Sequence, residues 1–225
     1  MRIQRFTKMF HQFFAVEDTS KDEITALKKL GFDPMGCYLV RSFPENMQGI
    51  DWAFQNFEKH IETMVSHELN EIDVPWTSSL FLFLELMQNF SVKWWLIGIG
   101  ALAVRGIPVS PKALDIIVEE VDCPIFADLI SNYLVEPLVT RKRSHVRWQG
   151  RAFLKARIEF RAGIQETTNS VLPTETGELV SEWLETVVWN DYTLLVPPLN
   201  LQLQIAVENS DEELVELIQS YITKS

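Results

Sequence analysis

The chain has 225 residues, 47% of them apolar and 23% charged, with 20 Lys and Arg against 31 Asp and Glu for a formal net charge of -11. That apolar and aromatic content excludes a disordered chain and suffices for a full core. The acidic balance argues against broad, sequence-independent coating of nucleic acid.

Cys37 and Cys123 are too few for a disulfide scaffold and lack metal-ligand spacing, so both are expected as buried free thiols. The longest apolar run, 94–104, holds 11 residues and two glycines. A bilayer span needs about 20. Arg2, Arg5, Lys8 and His11 interrupt the start, so no secretory h-region is read there. The expectation is a cytoplasmic protein with no membrane partner.

Ser20-Lys21-Asp22-Glu23 is a capping box, followed by Ile24, Leu27 and Leu30 at helical spacing and by Gly31 as a stop. A second helix is predicted over 51–71, where Phe54, Phe57, Ile61, Met64, Val65 and Leu69 form one stripe. A third runs from 77 or 78 to about 89. The first third therefore reads as helical, and residues 1–76 are expected as a mainly helical extension of a domain over 77–225.

The pattern then changes. Residues 94–98 read as a buried strand turned by Gly98, 101–105 as a short helix closed by Gly106, and 113–119 as a strand with Ile116, Ile117 and Val118. A helix over 123–133 and strands within 138–164, with Gly150 at a turn, follow. A loop is expected over 167–177. Residues 186–189 and 192–196 form a hairpin across Asn190-Asp191. Pro197-Pro198 opens a helix, and Ser210-Asp211-Glu212-Glu213 reads as a capping box for the last one.

Charge is unevenly spread. Residues 141–161 hold eight basic residues and one acid, a net +7, which leaves -18 on the rest of a chain totalling -11. One basic band sits on an acidic body. Solvent-facing arginines paired with nearby acids would explain it. So would a grip on triphosphate oxygens or an RNA-like acceptor, with Trp148 stacking a base.

The segment 95–118 runs strand, glycine turn, short helix, loop, strand. Gly98 and Gly100 let a phosphate approach the backbone. Asp115 shares a strand face with positions 113 and 117, where a carboxylate suits Mg²⁺ against a bound triphosphate. This arrangement resembles the nucleotidyltransferase superfamily, particularly its small bacterial members. Their signature is an apolar strand ending in Gly-Ser, a short helix ending in Gly, an Asp-x-Asp strand and a later strand with a third carboxylate. Gly98-Ile99 stands at the Gly-Ser position, Leu102 to Gly106 at the helix, Ala113-Leu114-Asp115 at Asp-x-Asp and Glu159 in Arg157-Ile158-Glu159-Phe160 at the third carboxylate. Two positions depart from the pattern: Ile99 replaces the Ser and Ala113 replaces the first Asp.

The resemblance covers about residues 78–222 and implies an α+β fold. Its core would be a nucleotidyltransferase-like small mixed β-sheet flanked by helices, with a helical N-terminal extension and C-terminal helices. It implies Asp115 and Glu159 as catalytic and metal-binding residues. The nucleotide-binding candidates are Gly98, Gly100, Arg105, Lys112, Arg147, Arg157 and Arg161. Two functions follow. One is an enzyme that binds ATP or another nucleoside triphosphate with magnesium and transfers a nucleoside monophosphate to an unknown hydroxyl. The other is a catalytically inactive descendant that binds a nucleotide, a protein partner or a structured RNA. In that second reading exposed Phe10, Phe13 and Phe14 form a partner or homodimer surface.

Overall fold

The computed structural model describes residues 1–140, 146–164, 174–176 and 179–224. Its first strands correct the helical expectation for the N-terminal extension. β1 (Arg2–Lys8), β2 (His11–Glu17), β3 (Asp33–Met35) and β4 (Tyr38–Pro44) form an antiparallel sheet in the order β1-β2-β4-β3. In β2, Phe14, Ala15, Val16 and Glu17 are buried in succession. A strand covered on both faces shows no two-residue alternation in its sequence. Phe14 lies in the core against Phe43 and Phe57, and Phe13 stacks on Phe6, so of the three phenylalanines expected at the surface only Phe10 is prominent there.

The two expected helices are present. In α1 (Lys21–Lys29) the Ser20 hydroxyl accepts from the Glu23 amide at 3.2 Å, and Glu23 accepts from the Ser20 amide at 2.6 Å. α2 (Ile50–Leu69) buries the predicted stripe residues Phe57, Ile61, Met64 and Val65. It stops at Asn70, whose left-handed conformation ends it before the expected Asp73-Val74-Pro75.

The central sheet contains β5 (Trp94–Ile97), β6 (Ala113–Val118), β7 (Leu134–Thr140), β8 (Val146–Phe153) and β9 (Arg157–Ile164), in the order β5-β6-β9-β8-β7. β6 and β9 run parallel and the other neighbours antiparallel. The sheet is therefore mixed, as expected. α3 (Trp76–Met87) and α5 (Cys123–Ile130) cover one face, where Phe83 meets Phe126 and Phe126 meets Phe160 edge-on at 4.9 Å. α4 (Gly98–Val104) connects β5 to β6 and begins three residues earlier than predicted.

The hairpin forms from β10 (Glu185–Trp189) and β11 (Tyr192–Val196), with Asn190 and Asp191 both at positive φ. α6 (Leu199–Glu208) and α7 (Glu212–Lys224) close the chain. The second capping box is displaced by one residue. Ser210 is left-handed, and the Asp211 carboxylate accepts from the Leu214 amide at 3.1 Å. Cys123 is buried, but Cys37 is exposed, which corrects half of the thiol expectation. No helix among the described residues is long and apolar enough to cross a membrane. The loop expected over 167–177 falls mostly outside the described residues.

Gly150 is not at a turn. It lies inside β8, opposite Phe160 on β9, and a Cβ there would sit 2.2 Å from the ring. The glycine makes room for the ring on a strand with no other reason to break. Gly150→Ala should therefore lower stability by about 1–3 kcal/mol in urea unfolding. Adding Phe160→Leu should recover part of that loss, whereas two independent destabilisations would add.

Candidate functional site

Asp115 and Glu159 are brought together. They are register partners on parallel strands β6 and β9, so their side chains leave the same face. Ala113 is paired in the same register with Arg157, so a cationic side chain stands beside the position of the missing carboxylate.

Glu159 is already occupied. Its Oε1 accepts from Arg151 at 2.9 and 3.2 Å, and Arg157 Nε lies 3.2 Å from the same oxygen. Arg157 also pairs with Glu68 of α2 at 2.8 Å, and Arg151 with Glu136 of β7 at 2.5 Å. Arg41 of β4 grips Glu136 with two donors, at 2.7 and 3.0 Å. The result is an alternating chain: Arg41, Glu136, Arg151, Glu159, Arg157, Glu68. Glu68, Glu136 and Arg151 are buried. Burial pushes the Glu159 carboxyl upward, but Arg151 and Arg157 outweigh it and hold it below the usual range.

Asp115 is the reverse case. Its carboxyl makes no ion pair or hydrogen bond among the described residues. Burial first, and the Glu159 charge second, push it up to about 6, against the opposing pull of Arg161 and Arg157. Arg161 faces the same side of β9 as Glu159 and makes no ion pair among the described residues.

The remaining candidates have structural partners. Arg105 bonds Glu185 at 2.6 Å and the Pro197 carbonyl at 2.8 Å, tying α4 to the last hairpin. Lys112 caps the Glu68 carbonyl in the last turn of α2 at 2.9 Å. Arg147 pairs with Glu120 at 2.7 Å. Gly100 is buried, and an added Cβ would press on Leu96 at 3.1 Å. Trp148 pairs with Ala162, three residues from Glu159, and so points to the opposite face of the sheet from the carboxylates. That separates it from the arginines with which the sequence associates it.

The glycine turn holds an internal anion. Gly98, at φ +59, donates its N–H to Glu175 Oε1 at 3.3 Å. Gln202 of α6 donates to the same oxygen at 2.7 Å and to the Gly98 carbonyl at 3.2 Å. Trp95 Nε1 holds the Glu175 carbonyl at 3.1 Å. Burial raises the Glu175 carboxyl, opposed by the Gln202 and Gly98 hydrogen bonds. Sequence reasoning missed Glu175, Glu68 and Glu136. Only Glu68 and Glu136 had a signal: a band of arginines on folded strands needs acids facing it.

The residues present do not fit magnesium. Two metals need a dense set of ionised oxygen ligands. Here one carboxylate is neutralised by two arginines, one is raised toward neutrality, and the third position is alanine. Among the described residues, no group of three His, Cys, Asp or Glu side chains is placed to hold a metal ion.

No family model and no curated protein matches the sequence. Solved structures similar to this chain include a candidate nucleotidyltransferase from Thermotoga maritima, at 14% identity, TM-score 0.48, and coverage of 68% of this chain and 97% of that one. The lincosamide antibiotic adenylyltransferase LnuA, bound to lincomycin, is similar at 12% identity and TM-score 0.45, over 63% of this chain and 95% of its own. The antibiotic-resistance factor ANT(2'')-Ia is similar at 9% identity and TM-score 0.45, over 67% and 86%.

Two outcomes follow from these partners. Arg151→Met leaves buried Glu136 and half-buried Glu159 each short of a cation and should cost about 3 kcal/mol in urea unfolding. Arg147→Met, which breaks a half-exposed pair, should cost less than about 1 kcal/mol. Asp115 has a folded-state pKa above its unfolded value, so its effect on stability worsens as pH rises from about 4 to 6. Asp115→Asn should therefore raise the melting temperature above pH 7, with a gain that shrinks as pH falls toward 4.

Proposed function

We propose that this chain is a nucleotidyltransferase-like protein that has lost metal-dependent transfer and works as a binding or interaction protein. The observation that carries this reading is the engagement of Glu159 Oε1 by Arg151 and Arg157. A carboxylate neutralised by two guanidinium groups is a poor ligand for a divalent cation. Ala113 and the Glu175 carboxylate at the Gly98 amide support the same reading. An anion already seated at the glycine turn competes with a phosphate for that place.

Residues 1–76 are, in this reading, an extension of a nucleotidyltransferase-like domain over 77–225, anchored to it through Arg41, Glu68 and Lys112. The nucleotide, protein or RNA that the protein binds is recognised outside the degenerate carboxylate pair. A second reading, transfer of a nucleoside monophosphate from ATP with magnesium, is favoured by one observation: Asp115 and Glu159 are register partners with Arg161 beside them.

The two separate cleanly. With α-labelled ATP, Mg²⁺ and candidate hydroxyl acceptors, the wild-type protein should transfer no label. Calorimetry with millimolar ATP and Mg²⁺ should give no heat that depends on Asp115. Label transfer by the wild type that disappears in Glu159→Gln would establish the enzyme and end the proposal.

A further inference from the structure

A cleft of about 630 Å³ lies between the start of α2, α5 and the β7–β8 edge of the central sheet. Its volume is that of a small-molecule site. Trp52 of α2 and Trp148 of β8 both line it. Because Trp148 leaves β8 on the face opposite Glu159, the cleft is separate from the carboxylate pair.

Its chemistry is selective. Met47 and Leu138 add apolar wall beside the two indoles. Asn46, Gln48 and Asn132 also line it; their side-chain amides make no hydrogen bond among the described residues, and the Asn132 carbonyl accepts from Trp52 Nε1 at 3.4 Å. Asp128 is the one charged side chain among the described residues that line it. An alkyl chain would cover the amides without using them. A flat, uncharged heteroaromatic ring with donors and acceptors on its edge uses both the indole faces and the amides.

We propose that this cleft binds a nucleobase, supplied either by a free nucleoside or by an unpaired position in single-stranded RNA. The adjoining β1–β2 turn fits the second source. Met9 and Phe10 stand 79% and 84% exposed at its tip. Both are left-handed, at φ 49 and 63, a conformation that costs a non-glycine residue energy. The Glu45 amide donates to the Phe10 carbonyl at 2.9 Å, which fixes the tip next to Pro44 on the cleft wall. A ring held out beside a base pocket offers a stacking platform for a neighbouring base. The proposal is independent of whether Asp115 and Glu159 bind a metal, because a nucleoside carries no phosphate.

The test is a titration of the full chain followed by the indole N–H signals in proton–nitrogen NMR, with Trp52→Phe and Trp148→Phe to assign them. The probes are adenosine, cytidine and a mixed-sequence single-stranded RNA decamer, without added metal. Saturable movement of the Trp52 and Trp148 signals is expected. Trp148→Ala should weaken binding about tenfold, while Trp148→Phe, which keeps a ring, should retain it. If the base comes from a strand, the decamer binds more tightly than adenosine and Phe10→Ala weakens the decamer alone. If it comes from a nucleoside, Phe10→Ala changes neither; both results support the site. The proposal is overturned if no probe moves either signal, or if binding is unchanged when both tryptophans are replaced by alanine.

Discussion

The structure depends on one constraint: three guanidinium groups and three carboxylates must sit together in the space between the N-terminal sheet and the central one. Arg41, Glu136, Arg151, Glu159, Arg157 and Glu68 alternate in sign, so every buried charge has an opposite neighbour on at least one side. Taking such charges out of water is costly unless the pairing is complete. Completeness here requires β4, α2, β7, β8 and β9 to be in place at once. Two carbonyls at the end of α1 join in: Leu30 accepts from Arg151 at 2.9 Å and Gly31 from Arg41 at 2.8 Å. Leu30 is the C-cap, whose carbonyl the helix leaves unpaired at its negative end, and Gly31 is the residue after it. The network is therefore both a charge balance and a helix cap.

Everything unusual about the carboxylate pair follows from this. Glu159 is held ionised by Arg151 and Arg157, the two arginines that also reach Leu30 and Glu68. Asp115, its strand neighbour, receives none of that positive charge as an ion pair and is pushed toward the neutral form. Two carboxyls a strand apart thus separate in character, one because it is paired and the other because it is not. At the end of β5 the same outcome is reached by other means, with Glu175 in place of an external anion on the Gly98 amide. At both places the partner comes from within the chain: Arg151 and Arg157 for Glu159, Glu175 for the Gly98 amide.

What was legible in the sequence was what depends on local chemistry. The Ser20 box, the α2 stripe, the Asn190-Asp191 turn and the strand–turn–helix–strand order through Asp115 rest on neighbours in sequence, and all occur. β2 was hidden because its residues 14–17 are buried in succession and show no alternation. Gly150 was misplaced because its reason is a ring on another strand. The candidate site was legible as far as Asp115 beside Glu159, since two parallel strands carry them. The roles of Arg105, Lys112, Arg147 and Arg157 were not, because their partners Glu185, Glu68 and Glu120 lie from 27 to 89 residues away. A run of basic residues states that counter-charge is needed, but only the tertiary fold states whether protein or ligand provides it.

The central claim is that Glu159 serves the ion-pair network and not a metal. Carboxyl carbon NMR titration of Asp115 and Glu159, with and without millimolar ATP and Mg²⁺, tests it at the atoms concerned. The account predicts Glu159 titrating below the ordinary carboxylate range and Asp115 near 6, with both curves unchanged by the additions. A divalent cation bound between them would favour the ionised form of both. A fall of the Asp115 midpoint toward or below 4 only when ATP and Mg²⁺ are present would contradict the account.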